Sequence, residues 1–355
     1  MQDKGVKNDD KKETIQDKYS GKGLTGLANL GNTCFMNSTI QCLSHTYEFN
    51  DFLNSKKYMK HKNDNVEANI LVEWDKLREL MWSENCTISP GGFLSNVHKL
   101  AREKDKQIFT GFAQNDLPEF LLFLIECFHE GIKRSVTMNI NGIAENSKDE
   151  LAIKCYTMMK KMYKDEYSEI IKMFYGIHVS QILDTEGGFL TANPEPFFMI
   201  NLPLDLEKKT CSIYDCFDKY TETERIDGDN QWYNEKTDSK QDVDKNIAFF
   251  SLPDILIVDF KRFDHRARKN NMYVDFPLEN LDLTKYVVGY DKESYKYDLF
   301  GICNHSGNTM GGHYTAFVRN ANGKWYHFND TRVNEIKEEA VISNKAYCLF
   351  YRKKN

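Results

Sequence analysis

The chain has 355 residues, 41% hydrophobic and 28% charged, with 7 Pro and 20 Gly, which excludes fibrous and wholly disordered classes and suits one large domain or two to three lobes. Lys and Arg total 47 against 53 Asp and Glu, a net charge of -6 with no basic stripe, so nucleic acid is not an expected partner. Apolar runs such as 120–125 and 255–258 fall far short of the roughly 20 residues of a membrane span, and none is expected.

Residues 1–21 are polar, rich in Lys and Asp, and without periodicity, the composition of a disordered tail. They carry no apolar signal segment, which points to a reducing compartment, cytoplasmic or nuclear. Nine cysteines, odd in number and nowhere spaced C-x-x-C, announce neither a disulfide framework nor a zinc finger. From Leu24 the texture changes. The loop GLANLGNTC leads into FMNSTIQCLSHTYEFNDFL, where Phe35, Ile40, Leu43 and Tyr47 recur at roughly helical spacing, so Cys34 sits at a loop-to-helix junction. Further helices are predicted over Glu67–Trp82, Gly91–Arg102, Asp116–Glu130 and Asp149–Phe174.

After Phe174 the runs become short and β-rich, from HVSQIL through NIAFFSLPDILIVDFKRF to YCLFYR. Residues 205–245 are polar and read as an exposed arm. Asn322-Gly323 between HYTAFVRN and KWYHFND signals a hairpin, since both residue types accept positive φ. A helical first half and a strand-rich second half give an α+β chain.

Thiol catalysis needs a nucleophile of lowered pKa, a base, a group orienting that base, and oxyanion donors. Cys34 at a helix start has free N–H groups and the helix dipole to favour a thiolate, although a lone cysteine there is more often structural. His313 follows a run containing three glycines and precedes an alternating strand, where it is either a base or a core filler. Asn329 and Asp330 follow the neighbouring strand, where either could accept from the imidazole or simply begin a turn.

Four motifs in order, GLANLGNTCFMNSTIQCL, QNDLPEFLLFLIECFHE, SLPDILIVDFKRF and FGICNHSGNTMGGHYTAFVRN with KWYHFND, resemble the ubiquitin-specific proteases from Gly23 to Lys353. The resemblance implies a papain-like cysteine protease fold with a helical thumb (about 22–175), β fingers (about 176–250) and a β-rich palm (about 251–355). It makes Cys34 the nucleophile, His313 the general base and Asn329 its orienting partner, with Asp330 beside it assisting and Asn29 donating to the oxyanion. Asp116, Glu119, Phe263, His305, Gly312 and Tyr314 match positions that hold the extended, arginine-containing ubiquitin tail. Asp116 and Glu119 also read as a capping-box-like helix start, Phe263 as a core aromatic and His305 as a structural histidine.

The implied activity is hydrolysis of the isopeptide bond after the C-terminal glycine of ubiquitin. The competing readings are a deconjugase of another ubiquitin-like modifier and an idle ubiquitin-binding module. Partners implied are ubiquitin and ubiquitinated proteins, the chain acting as a monomer without cofactor. One departure stands out. Where many members carry two zinc-binding C-x-x-C pairs in the fingers, this sequence has Asp184 and Gly187, then Asn234 and Thr237, so no metal is expected.

Overall fold

The computed structural model describes residues 13–111, 113–205, 208–308 and 311–354. Its first part is helical: α1 (Ile15–Tyr19), α2 (Cys34–Ser44), α3 (Tyr47–Asn54), α4 (Val66–Ser83), α5 (Gly91–Glu103), α6 (Leu117–Glu130), α7 (Ser147–Glu166) and α8 (Glu169–Phe174). Two short strands, β1 (Gly26–Leu27) and β2 (Thr87–Ile88), pair in parallel among them. The predicted helix over 149–174 is two helices, because Ser168 caps a new one by accepting from Ile171 N–H.

Four strands form the smaller sheet: β3 (Gly176–Leu183), β4 (Phe189–Phe197), β7 (Glu224–Ile226) and β10 (Val243–Ser251), in the order β4-β3-β10-β7. Between them in sequence come β5 (Met199–Leu202), β6 (Thr210–Ser212), helix α9 (Ile213–Tyr220) and a hairpin of β8 (Trp232–Asn234) with β9 (Ser239–Gln241). The larger sheet adds β11 (Ile255–Phe260), β13 (Leu281–Asp282), β14 (Lys296–Asn308), β15 (Gly311–Arg319), β16 (Trp325–Asn329), β17 (Arg332–Ile336) and β18 (Ala346–Lys353); β12 (Tyr273–Asp275) instead pairs with β6. Its order is β17-β16-β15-β14-β18-β11-β5, with β13 on β14.

Alternation along β11 explains the layering. Ile255 and Ile257 face one core with α2 and the thumb helices, while Leu256, Val258 and Phe260 face a second core beyond the sheet. Helix α2 lies between helices and sheet, and all eleven of its residues are buried. Several of its polar side chains pair inward, as where Gln41 Nε2 donates to Thr25 O at 2.8 Å and Thr39 Oγ1 to Phe35 O at 2.9 Å.

Two boundaries and one turn differ from the sequence reading. Residues 13–21 are not a disordered tail: Thr14 and Asp17 make a capping box for α1, and buried Tyr19 stacks on Tyr47 with centroids 4.7 Å apart. Residues 1–12 lie outside the described set. The stretch 199–220 joins the palm rather than the fingers, since β5 pairs in parallel with β11 and α9 buries Ile213, Cys216 and Phe217 in the second core. In the β15–β16 hairpin only Gly323 takes a positive φ, at 81°, and Asn320 N–H closes the turn on Lys324 O.

Candidate active site

The loop before α2 is organised by Asn29. Its Oδ1 accepts from Gly31 N–H at 3.1 Å and from Thr33 N–H at 3.2 Å, and Thr33 Oγ1 accepts from Leu30 N–H. This sets Cys34 as the first residue of α2, 2% exposed, packed beside β15. Its thiol is met by the backbone N–H of Tyr314. The expected depression of its pKa does not appear. Burial pushes the thiol above its ordinary value, outweighing the N–H groups of Tyr314, Phe35 and Cys34 itself, and the Asp330 carboxylate pushes it the same way.

His313, near the start of β15, has its Nε2 2.8 Å from Asn329 Oδ1 at the end of β16. A carboxamide oxygen only accepts, so the ring proton sits on Nε2 and the Nδ1 lone pair is left free to take a proton. Among the described residues no hydrogen bond joins the Cys34 thiol to that ring.

Asp330 does not bind the imidazole. At φ 49° it turns its carboxylate to the cysteine segment, where Oδ2 accepts from Asn29 Nδ2 at 3.0 Å and Oδ1 from Asn37 Nδ2 at 2.7 Å. Its carbonyl also accepts from Leu27 N–H. The residue expected to assist the base instead fixes the loop that carries the nucleophile.

The residues expected to take a tail gather around a cleft of about 280 Å³ lined by Gln114, Asn115, Asp116, Phe263, His305 and Tyr314. Glu119 lies outside it, on an adjoining hollow that shares Asp116 and Phe263. Asp116 stands at the N-cap of α6, where the Glu119 N–H acts on its carboxylate but closes no full capping box; its Oδ2 accepts from Tyr347 O–H at 2.8 Å. Burial raises its carboxyl above the usual range. His305 is buried against Phe263, Tyr314 and Tyr347, and burial, with the Lys269 charge, lowers it to about 4, which keeps it neutral. Its ring sits where a side chain on Gly312 would go: a Cβ there would lie 2.3 Å from His305 Nε2.

Sequence reasoning missed four participants: Asn37, Gln114, Asp259 and the Tyr314 N–H. Asn37 and Gln114 lie inside the quoted motifs, but their partners are 293 and 198 residues away. Asp259, on buried β11 and in the hollow beyond the cleft, accepts from Asn201 Nδ2 at 2.6 Å and is pushed up by burial to about 7.

In the fingers, the positions expected to lack zinc ligands close their turns by other means. Asp184 Oδ1 accepts from Glu186 and Gly188 N–H, and Asn234 Oδ1 from Lys236 N–H. Cys211 and Cys216 are core thiols, their sulfurs 3.7 Å apart.

The sequence profile described as ubiquitin carboxyl-terminal hydrolase matches residues 25–351. Ubiquitin carboxyl-terminal hydrolase 2 of Homo sapiens is 34% identical over 345 residues, covering 94% of this chain and 55% of that protein. The Gallus gallus protein of the same name is 33% identical, covering 93% of each. This chain spans about half the length of the human, bovine and rat relatives. Among solved structures, the SAGA Ubp8/Sgf11/Sus1/Sgf73 DUB module bound to ubiquitin aldehyde is similar, with a TM-score of 0.72 and 25% identity over 94% of this chain and 70% of that one.

Proposed function

Because the chain belongs to the ubiquitin carboxyl-terminal hydrolase family, we propose that it is a thiol-dependent deubiquitinase that hydrolyses the isopeptide bond after the C-terminal glycine of ubiquitin. The observation that carries this reading is the 2.8 Å bond from His313 to Asn329, with the N–H of the next residue, Tyr314, acting on the Cys34 thiol. A tail in the cleft brings its last carbonyl to Cys34. His313 Nδ1 takes the thiol proton, and sulfur adds to the carbonyl carbon. The oxyanion is received by Asn29 Nδ2, released from Asp330, and by backbone N–H at Cys34. His313 then protonates the leaving lysine amine as the C–N bond breaks, giving a thioester. Water, deprotonated by the same imidazole, cleaves the thioester and returns the thiol.

The raised thiol pKa suits this order of events, since the nucleophile forms only when substrate brings base and sulfur together. Ubiquitin and ubiquitinated proteins are the partners this activity needs. Nine cysteines, odd in number and nowhere spaced C-x-x-C, support a reducing compartment, cytoplasm or nucleus. The test is incubation of wild type and Cys34→Ala with ubiquitin carrying a C-terminal thiol-reactive electrophile, read by intact mass. Wild type gains one ubiquitin and the variant none. Reaction only with another modifier's probe transfers the activity to that modifier.

A further inference from the structure

Two pairs of cysteine sulfurs come into near contact, and their surroundings differ. Cys42 and Cys303, 3.6 Å apart, are wholly buried in the first core. Burial, with Cys42 and Cys348 beside it, holds Cys303 protonated, and no cation adjoins it among the described residues. Cys211 on β6 and Cys216 on α9, 3.7 Å apart, instead lie beside Arg262, just after β11. Arg262 is 1% exposed, and its guanidinium donates only to carbonyls: Nε to Ala346 O at 2.7 Å, and Nη1 to Asn270 O at 3.1 Å and Met272 O at 2.8 Å. Nη2 is buried with no partner, and among the described residues no carboxylate pairs with the group. Burial lowers it to about 10, so it is still charged at neutral pH. The ionisable side chains around it are Cys211, Cys216 and Tyr347, and burial with Asp116 beside it keeps the Tyr347 O–H protonated. Only the two thiols are left to offset the charge. A buried cation without a counter-charge favours a thiolate beside it, and the thiolate is the reactive form of sulfur.

We infer that Cys211 and Cys216 are a site of reversible oxidation by hydroperoxides, closing to a disulfide that loosens the cleft hairpin held by Arg262, while the Cys42 and Cys303 pair stays reduced. Cys211 keeps 5% exposure and Cys216 none, so Cys211 meets the peroxide first. It gives its proton to water, its thiolate attacks the O–O bond, and the hydroxide that leaves takes up that proton, giving water and a sulfenic acid. The Cys216 sulfur then attacks the Cys211 sulfur, and the Cys216 proton departs with the hydroxyl as a second water. Two thiols and one hydrogen peroxide give one disulfide and two waters. Arg262 links this pair to the cleft. Its bond to Asn270 O, with Asn270 N–H donating back to Arg262 O at 2.6 Å, closes the base of the hairpin 262–270, and Phe263, Asp264 and Ala267 on that hairpin line the cleft. A disulfide is neutral and offers the guanidinium no counter-charge. β6, paired with β12 through Cys211 opposite Val274, is also drawn toward α9 as the sulfurs close from 3.7 Å to about 2 Å. The effect on the cleft rests on the deubiquitinase reading; the disulfide is a property of the chain alone.

The experiment treats the full chain with hydrogen peroxide, blocks the remaining thiols with N-ethylmaleimide in denaturant, and maps linked peptides by mass without a reducing agent. The expected linkage is Cys211 to Cys216, undone by dithiothreitol. In oxidised wild type the KM for a ubiquitin C-terminal fluorogenic amide rises about threefold or more, as the competent cleft becomes a minor state, and it returns on reduction. Cys216→Ser shows neither the linkage nor the rise. Oxidation at Cys34 lowers kcat in both proteins alike, so the KM reports the pair. No linkage, or a Cys42 to Cys303 linkage in its place, overturns the site. A Cys211 to Cys216 disulfide with unchanged KM overturns its reach to the cleft. If untreated wild type shows no turnover, the deubiquitinase reading falls, and the peptide map alone decides the disulfide.

Discussion

Asn29 donates through Nδ2 to Oδ2 of Asp330 at 3.0 Å, across 301 residues of sequence. The loop before the nucleophile is thereby tied to the residue following the imidazole's partner. Asn37, one turn into α2, donates to the other oxygen of the same carboxylate. Cysteine and histidine segments thus move as one hydrogen-bonded unit.

Replacing that carboxylate tests the unit. In Asp330→Ala the Asn37 amide, on a residue 3% exposed, loses its shortest acceptor and keeps only the Leu27 and Ala28 carbonyls at 3.4 Å, and Asn29 loses its anchor. Stability falls by about 1–3 kcal/mol in urea unfolding, and kcat falls more than tenfold. Asp330→Asn keeps an acceptor oxygen and recovers part of both. An unchanged unfolding midpoint in the alanine variant contradicts the clamp.

Asn29→Ala removes the donor that, on the proposed mechanism, leaves Asp330 Oδ2 to receive the oxyanion. The expected loss is roughly 100- to 1000-fold in kcat, with KM nearly constant, measured on the fluorogenic ubiquitin amide. A change confined to KM would place Asn29 in substrate binding instead.

The Cys34 thiol is raised by burial first, against the pull of its neighbouring N–H groups. In the free chain its alkylation by iodoacetamide is therefore slow at pH 7 and climbs through a pH range above that of an ordinary cysteine, about 8.5. His313→Ala leaves this profile in place, because the ring does not bond the thiol before substrate binds. A profile in wild type centred below 7 would show a preformed ion pair.

Asp259 gives a pH dependence of known sign. Its carboxyl is raised to about 7 by burial, so the folded chain holds a proton that the unfolded chain releases near the ordinary value. Its contribution is intact below about pH 4 and is lost as pH rises toward 7. Asp259→Asn, which keeps an oxygen for Asn201, matches wild type at pH 4 and exceeds it by about 1–4 kcal/mol at pH 8. Denaturant midpoints across that range decide it; equal midpoints at pH 8 refute the assignment.

In the fingers, Asp184 and Asn234 close their turns by accepting backbone N–H groups. Treatment with a strong zinc chelator is expected to leave both the melting temperature and turnover unchanged. A drop in either would locate a metal in the fold.

Cys34, His313 and Asn329 stood out as candidates because they lie inside dense local motifs, whereas the second core beyond the sheet, which rests on alternation along β11, was not read. What escaped depends on chain-distant pairing. Asp330 looked like a helper to the base from its place beside Asn329, yet its left-handed backbone points the carboxylate at Asn29 and Asn37. The thiol looked activated from its helix-start position, and burial reversed the balance. α9 looked like part of the arm because residues 205–245 are polar overall, while its few apolar residues, Ile213, Cys216 and Phe217, are the ones that reach the palm core.

The segment around α1 sits ahead of the residues that match the family, 25–351. Tyr19 O–H donates to Asp51 on α3 at 2.7 Å, and the Tyr19 ring meets Trp82 on α4 edge-on. A few residues on, Gly21 N–H donates to Asn320 Oδ1, and Asn320 Nδ2 returns a bond to Lys22 O, at the turn between β15 and β16. This short stretch is a brace across the seam between helical lobe and sheet, on the hairpin that carries both His313 and Asn329. A protein trimmed to residues 25–351 would keep Cys34, His313 and Asn329 and lose the tie between the helical lobe and the hairpin that carries the last two.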